Sequence, residues 1–198
     1  MAQVIPSTEA EGPGKRFAVW VQGCSLRCKG CCNPEMFDQD RGTETSVTSL
    51  LEALRSSDAE GLSLLGGEPF EQPAACGQLA ESARAFGYSV MVYTGYTLEE
   101  LRARNDPSTD RLLSNTDVLV DGRFELSLRD THRRFVGSTN QRIHFLSDRY
   151  SASDSRWQQE NTFEIRFHRG ELIVNGFPGN AEGVLDGGPH RKKRLDVR

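Results

Sequence analysis

No run of 18 apolar residues occurs anywhere in the 198-residue chain, and the opening Met1-Ala-Gln-Val-Ile-Pro lacks a charged segment followed by an apolar one. The first absence removes the sequence signal of a membrane-spanning helix; the second removes that of a secretory leader. The expectation is a cytoplasmic protein with no membrane partner. An excess of positive charge is missing too: 24 Lys and Arg against 28 Asp and Glu leave a net charge of −4. That excludes a general electrostatic footprint for nucleic acid, which the short Arg191-Lys-Lys-Arg194 run does not restore. Histidine is scarce, and its four copies at 132, 144, 168 and 190 are scattered. No internal repeat is found. What remains, 36% apolar and 26% charged, suits one soluble domain that buries a core without covalent staples.

Cysteine is distributed unevenly. Four of the five cysteines, Cys24, Cys28, Cys31 and Cys32, fall in "CSLRCKGCC", and Cys76 stands alone. A reducing compartment and an odd count speak against a disulfide framework. A structural zinc site wants two ligand pairs from separate turns, and no second pair exists. The leading spacing is C-x3-C-x2-C, and Cys32 is an awkward fourth ligand because adjacent side chains diverge. Three thiolates from one loop suit a cubane [4Fe–4S] cluster whose fourth iron lacks a protein ligand. An open coordination position is where a metal centre does chemistry. Disulfide and zinc remain the lesser alternatives.

Around this loop the chain reads as alternating strand and helix. Residues 16–22, 61–65, 88–93 and 117–120 are short apolar runs, and 47–54, 73–86 and 98–104 carry helical patterning. Continuous rather than alternating apolar strands predict a parallel α/β sheet covered by helices. A closed eight-stranded barrel takes about 250 residues. The expectation is therefore an incomplete, open-sided (β/α) barrel over residues 1–146. Residues 147–198 form an extension: a polar linker at 147–161, a β-hairpin from 162–167 and 171–174, and a frayed polar tail at 187–198. The charge-rich stretch 123–141 reads as irregular, and the Arg-rich stretch 129–142 as either a partner clamp or a solvated loop. Phe17 and Trp20 read as core, and Cys76 as buried packing. The second strand ends in Gly66-Gly67-Glu68-Pro69, either an ordinary strand-to-helix turn or a place where backbone approaches a ligand closely.

Taken together, C-x3-C-x2-C and Gly66-Gly67-Glu68-Pro69 resemble the radical S-adenosylmethionine (SAM) enzymes. "GPGKRFAVWVQGC", "CNPEMFD", "VYTGYTLEEL" at 92–101 and "DVLVDGRFELSLRD…RRFVGSTNQRI" at 117–143 are similar to one family among them. That family comprises the activating proteins of anaerobic ribonucleoside-triphosphate reductase and pyruvate formate-lyase. The resemblance implies a [4Fe–4S] cluster on Cys24, Cys28 and Cys31, with SAM chelated to the unique iron and cleaved reductively to methionine and a 5′-deoxyadenosyl radical. It implies Gly30, Cys31 and Cys32 on the adenine side and Gly67 against SAM. Gly66, Glu68, Thr94 and Asp121 are further cofactor-site candidates at strand ends. No side chain is assigned a catalytic role.

It implies as partners a large glycyl radical enzyme, whose glycine Cα yields a hydrogen, and a flavodoxin or ferredoxin reductant. The 123–141 stretch and the hairpin are expected at the partner interface, with the partner supplying the missing barrel wall. Two departures stand out. Cys32 occupies a position commonly aromatic or histidine, and serves either as packing near adenine or as a small apolar filler. The extension leaves open the alternative of a small radical SAM enzyme acting on another peptide, protein or small molecule.

Overall fold

A computed structural model of the chain describes residues 1–168 and 171–177. Its centre is a six-stranded sheet in sequential order β1 to β6. Four strands run parallel: β2 (Arg16–Val21), β3 (Gly61–Gly66), β4 (Ser89–Tyr93) and β5 (Val118–Asp121). These are the four apolar runs of the sequence. β1 (Gln3–Thr8) and β6 (Arg142–Phe145) add antiparallel edges that the sequence reading did not anticipate. β1 carries Pro6, which argues against a strand unless it lies at an edge, where a ladder donor is dispensable. The architecture is thus mixed α/β.

The helices lie between successive parallel strands and cover one face. α1 (Val47–Arg55) is capped by Ser46, whose Oγ accepts from Ser49 N–H at 3.1 Å. α2 (Pro73–Ala85) carries proline in its first turn, where no intrahelical N–H is lost. α3 (Leu98–Ala103) opens with a reciprocal capping box between Thr97 and Glu100. α4 (Pro107–Ser114), too short and polar to stand out in the sequence, starts on the Asp106 carboxylate. Phe17, Val19 and Val21 of β2 point to this face with Leu62, Leu64, Val90, Val92 and Leu119. They pack on Leu54, Leu79, Ala80, Leu101 and Leu112.

The opposite, inner face is covered in part by other segments of the chain itself. Ile5 and Met36 pack on Trp20 and Leu65, while Phe135, Trp157 and Phe177 pack around Met91, Val118 and Val120. Phe135 and Val136, inside the Arg-rich 129–142 stretch, are 1% and 0% exposed, so that stretch is anchored to the core at these residues while much of 123–133 stays exposed. Beyond it the predicted hairpin forms: β7 (Phe163–His168) pairs antiparallel with β8 (Glu171–Gly176) as a separate two-stranded sheet. The linker before it contains a 3-10 turn whose Trp157 meets Phe135, Phe145 and Tyr150 edge-on. The frayed tail expected at 187–198 lies outside the described residues. No helix among the described residues is long and apolar enough to cross a membrane.

One buried cation binds the lower ends of the strands. Arg16 is 0% exposed, and its guanidinium donates to Ser63 Oγ at 3.1 Å, Ser89 Oγ at 2.6 Å, Ser89 C=O at 3.2 Å and Leu62 C=O. A buried polar group is tolerated when its donors are satisfied. Here the satisfaction ties β2, β3 and β4 together at the end remote from the cysteines.

Candidate metal and cofactor site

β2 ends at Val21 and feeds the cysteine loop, whose root is firmly held. Gln22 is buried, and its side-chain amide donates to Glu35 C=O at 3.0 Å and Asp38 C=O at 2.7 Å. Gly23 N–H donates to Met36 C=O and Cys24 N–H to Phe37 C=O, at 2.9 and 3.0 Å, closing the loop on itself. Buried Met36, at the end of a 3-10 turn, anchors the returning chain beside Trp20. Farther out, Cys31 N–H donates to Cys28 C=O at 3.2 Å, with Gly30 at φ +77°. Positive φ at that place is what a type II turn demands, and glycine meets it without strain. A Cβ on Gly30 would also lie 3.0 Å from Leu126 Cδ2, so the turn sits against the 123–141 stretch. Glu71 holds the near side, accepting from Ser25 N–H at 3.0 Å and from Tyr96 Oη at 3.2 Å.

All five cysteines are free thiols: Cys24, Cys28 and Cys31 half-buried, Cys32 exposed and Cys76 buried. Cys76 is packing, as expected. Among the described residues no three His, Cys, Asp or Glu side chains are gathered as a metal site, so the loop brings the three thiols to one place without converging them. The donor set nevertheless fits a [4Fe–4S] group: three soft thiolates from one anchored loop, with no second pair to complete a zinc tetrahedron.

The Gly66-Gly67 turn is joined directly to this loop. Gly67 N–H donates to Val21 C=O and Glu68 N–H to Gly23 C=O, both at 2.9 Å. A Cβ on Gly67 would fall 2.3 Å from Gly23 O, and one on Gly66, itself at φ +99°, 2.6 Å from Trp20 Cβ. Both glycines are thus required by the close approach of the protein's own backbone.

Glu68 is turned inward, 1% exposed. Its Oε1 accepts from Phe70 N–H and Thr94 Oγ1, both at 2.9 Å, and its Oε2 accepts from Gly95 N–H at 2.8 Å. Burial pushes its pKa up to about 7 despite these donors. The carboxylate that the sequence reading named as a cofactor-site candidate is seen tying the end of β3 to the loop after β4. Thr94 completes that tie, donating its N–H to Val120 C=O at 2.9 Å.

Asp121, at the end of β5, is also fully buried. It accepts from Leu98 N–H at 2.7 Å, from Arg142 at 2.6 and 3.0 Å, and pairs with His144 Nε2 at 2.9 Å. Burial pushes its pKa up, but the Arg142, Leu98 and His144 donors more than reverse this and hold it below the ordinary carboxylate value. Beside it lies a cleft of about 220 Å³ lined by Gly95, Thr97, Asp121, Gly122, Asn140 and Arg142.

The candidate residues therefore share the C-terminal edge of the parallel strands, where α/β folds place ligands. Glu68 and Thr94 touch, and Gly67 touches the cysteine loop; Asp121 belongs to its own ion-pair cluster. Sequence reasoning missed Gln22, Glu71 and Glu11. Glu11 is 6% exposed and accepts from Gly176 N–H at 2.7 Å and Asn175 Nδ2 at 3.4 Å. Its burial raises its pKa to about 7. The Gly-Pro-Gly turn directly after it was the available signal.

Comparison with known proteins gives a consistent picture. The family described as a 4Fe-4S single cluster domain matches residues 10–144. The chain is similar to the anaerobic ribonucleoside-triphosphate reductase-activating protein of Vibrio cholerae, 34% identical over 72% of this chain and 95% of the relative. The protein of that name in Escherichia coli K12 is 32% identical over 73% of this chain and 97% of the relative. That of Enterobacteria phage T4 is 28% identical over 80% and 97%.

Proposed function

The chain belongs to the 4Fe-4S single cluster family and, within it, to the activating proteins of anaerobic ribonucleoside-triphosphate reductase; on that premise we propose that it is a radical SAM enzyme that installs a glycyl radical on such a reductase. Cys24, Cys28 and Cys31 hold the cluster, and SAM lies along the strand ends beside Gly30, Cys31, Cys32, Gly66 and Gly67. The sheet, with four parallel strands in sequential order, acts as an open-sided partial barrel. Held by these residues, the cluster and SAM would supply the reducing and hydrogen-abstracting chemistry needed at the target glycine.

The chain's own residues prepare that chemistry by fixing position. Gln22 and the Gly23–Met36 bond hold the loop root. The Gly67 and Glu68 amides lock the cofactor turn to the same root, so cluster and SAM sites move as one body. Glu68, by binding Thr94 and Gly95, keeps the neighbouring strand end in register with them. The covered inner face excludes water from a reactive radical. A flavodoxin or ferredoxin serves as reductant, and the protein works in the cytoplasm.

The observation that carries this reading is the bonding of the three-cysteine loop to the Gly-Gly-Glu turn. Anaerobic reconstitution of single variants tests it. Cys31→Ala loses the cluster and all 5′-deoxyadenosine production, whereas Cys32→Ala keeps its iron; the reverse pattern overturns the assignment. With reductase, SAM and reductant, paramagnetic resonance shows a glycyl doublet, and deuterium from labelled glycine appears in 5′-deoxyadenosine. The cover formed by the extension favours a second reading, another substrate, which holds if deuterium arrives only from a different peptide or metabolite.

A further inference from the structure

Side-chain polar atoms that are buried without a hydrogen-bond partner are rare in folded proteins and call for an explanation. Among the described residues, Trp157 Nε1, Arg166 Nε and Asn175 Oδ1 are such atoms on the extension, and Tyr93 Oη and Arg134 Nε are such atoms on the face beneath it. Asn175 is only 7% exposed, and its amide nitrogen is spent on Thr8 Oγ1 at 2.9 Å and Glu11. Tyr93 adjoins the same place: it feels the charges of Glu11, Arg16 and Arg134, and packs on the same Ile5, Trp20 and Leu65 cluster as Ile173, two residues before Asn175.

The hairpin around them is inverted. Along β7 the polar residues turn inward, Glu164 accepting from Glu9 N–H at 2.8 Å and Arg166 donating to Ser7 C=O. Ile165 and Phe167 face outward, 44% and 65% exposed. A surface hairpin ordinarily does the opposite. The β7 side of the seam is therefore held by hydrogen bonds, which a bound chain can replace with its own, while Ile173 and Phe177 supply apolar packing on the β8 side. Glu11 and Glu164 at the seam are offset by Arg134 and Arg166, so its charges single out no ion of either sign. An extended polypeptide, alternating N–H donors and C=O acceptors, matches both an unused amide oxygen and an unused hydroxyl.

We propose that Asn175 and Tyr93 are recognition residues for the target polypeptide, Asn175 Oδ1 accepting a backbone N–H and Tyr93 Oη donating to a backbone C=O as the hairpin shifts to admit an extended segment. This rests on the functional reading above and deepens it. It assigns a purpose to part of the extension, which lies beyond the family match that ends at residue 144.

The test uses cluster-loaded protein with the anaerobic ribonucleotide reductase of the same organism. Glycyl radical formation is measured against reductase concentration, and SAM cleavage without reductase is measured in parallel. Asn175→Ala and Tyr93→Phe each raise the apparent KM for reductase about tenfold, the size of one lost hydrogen bond. Neither changes kcat more than about twofold or alters reductase-independent SAM cleavage. Tyr93→Phe keeps the test decisive if Asn175→Ala fails to fold, because it deletes only a hydroxyl that bonds to nothing. A wild-type KM in iron-replete Tyr93→Phe overturns the inference alone. Wild-type protein that cleaves SAM yet leaves the reductase without a radical overturns the functional reading, and this inference with it.

Discussion

On the helix-covered face of the sheet, Leu62, Leu64, Val90, Val92 and Leu119 meet Leu54, Leu79, Leu101 and Leu112, and the contact is apolar throughout. On the inner face, Ala18, Trp20, Met91, Val118 and Val120 share space with Glu11, Arg16, Ser63, Ser89 and Arg134. The same strands make both faces, since successive side chains alternate between them. The difference lies in what covers each. Helices emitted between consecutive strands cover the first. Segments from far along the chain cover the second, reaching Thr8 from Asn175 and Glu9 from Glu164. A face closed locally can be dry and complete. One closed late, over polar residues, retains unpartnered groups.

Cutting a large side chain from each face sharpens this contrast. Leu62→Ala, at a position 0% exposed under the helices, lowers unfolding free energy by about 3 kcal/mol in denaturant titration. A loss below about 1 kcal/mol would mean that the helical face is far looser than its packing implies.

Equal in size for each group is a pH effect located on the inner face and the strand ends. Glu11 and Glu68 both have folded pKa values raised from 4.5 to about 7. A carboxyl raised on folding contributes stability that is present in full below its unfolded value and is lost as pH rises through the folded one. Apoprotein stability therefore falls between about pH 4.5 and 7 by up to about 3 kcal/mol per group. Glu68→Gln removes roughly half of that slope, measured by thermal melts across the range. An unchanged slope would assign the titration to other groups.

The smallest effect is the most telling about the seam. Tyr93→Phe removes a buried hydroxyl with no partner, so Tm stays level or rises slightly, by the equivalent of about 1 kcal/mol at most. A clear fall in Tm would show that the hydroxyl is satisfied in solution, and that the two faces are more alike than their hydrogen bonding indicates.

Much of the helical face was readable in advance. The runs at 61–65 and 117–120 are too short and too apolar for exposed helices, and the hydrophobic stripes of 47–54 and 98–104 fit helices lying on a sheet. Thr97 and Asp106 mark the starts of α3 and α4. β1 escaped because Pro6 breaks its pattern, and its pairing depends on being at an edge. The cysteine spacing and the Gly-Gly-Glu-Pro turn were legible as a site. The meaning of the glycines was not, because the atoms they make room for, Gly23 O and Trp20 Cβ, lie more than 40 residues earlier in the chain. Nothing in the sequence hints that Glu71 holds Ser25, or that Glu68 faces inward.

The sequence by itself determined the chemistry available to this protein: three thiols in one loop, a paired-glycine turn, and a run of apolar strands that can only be parallel and buried. These are local properties of spacing and hydrophobicity, which act over a few residues. The tertiary structure decided how that chemistry is housed. It fused the cysteine loop to the Gly67 turn, withdrew Glu68 and Asp121 from solvent, and folded the extension over the inner face. Those outcomes depend on contacts between residues tens to more than a hundred positions apart, and such contacts exist only once the sheet has brought the strand ends together.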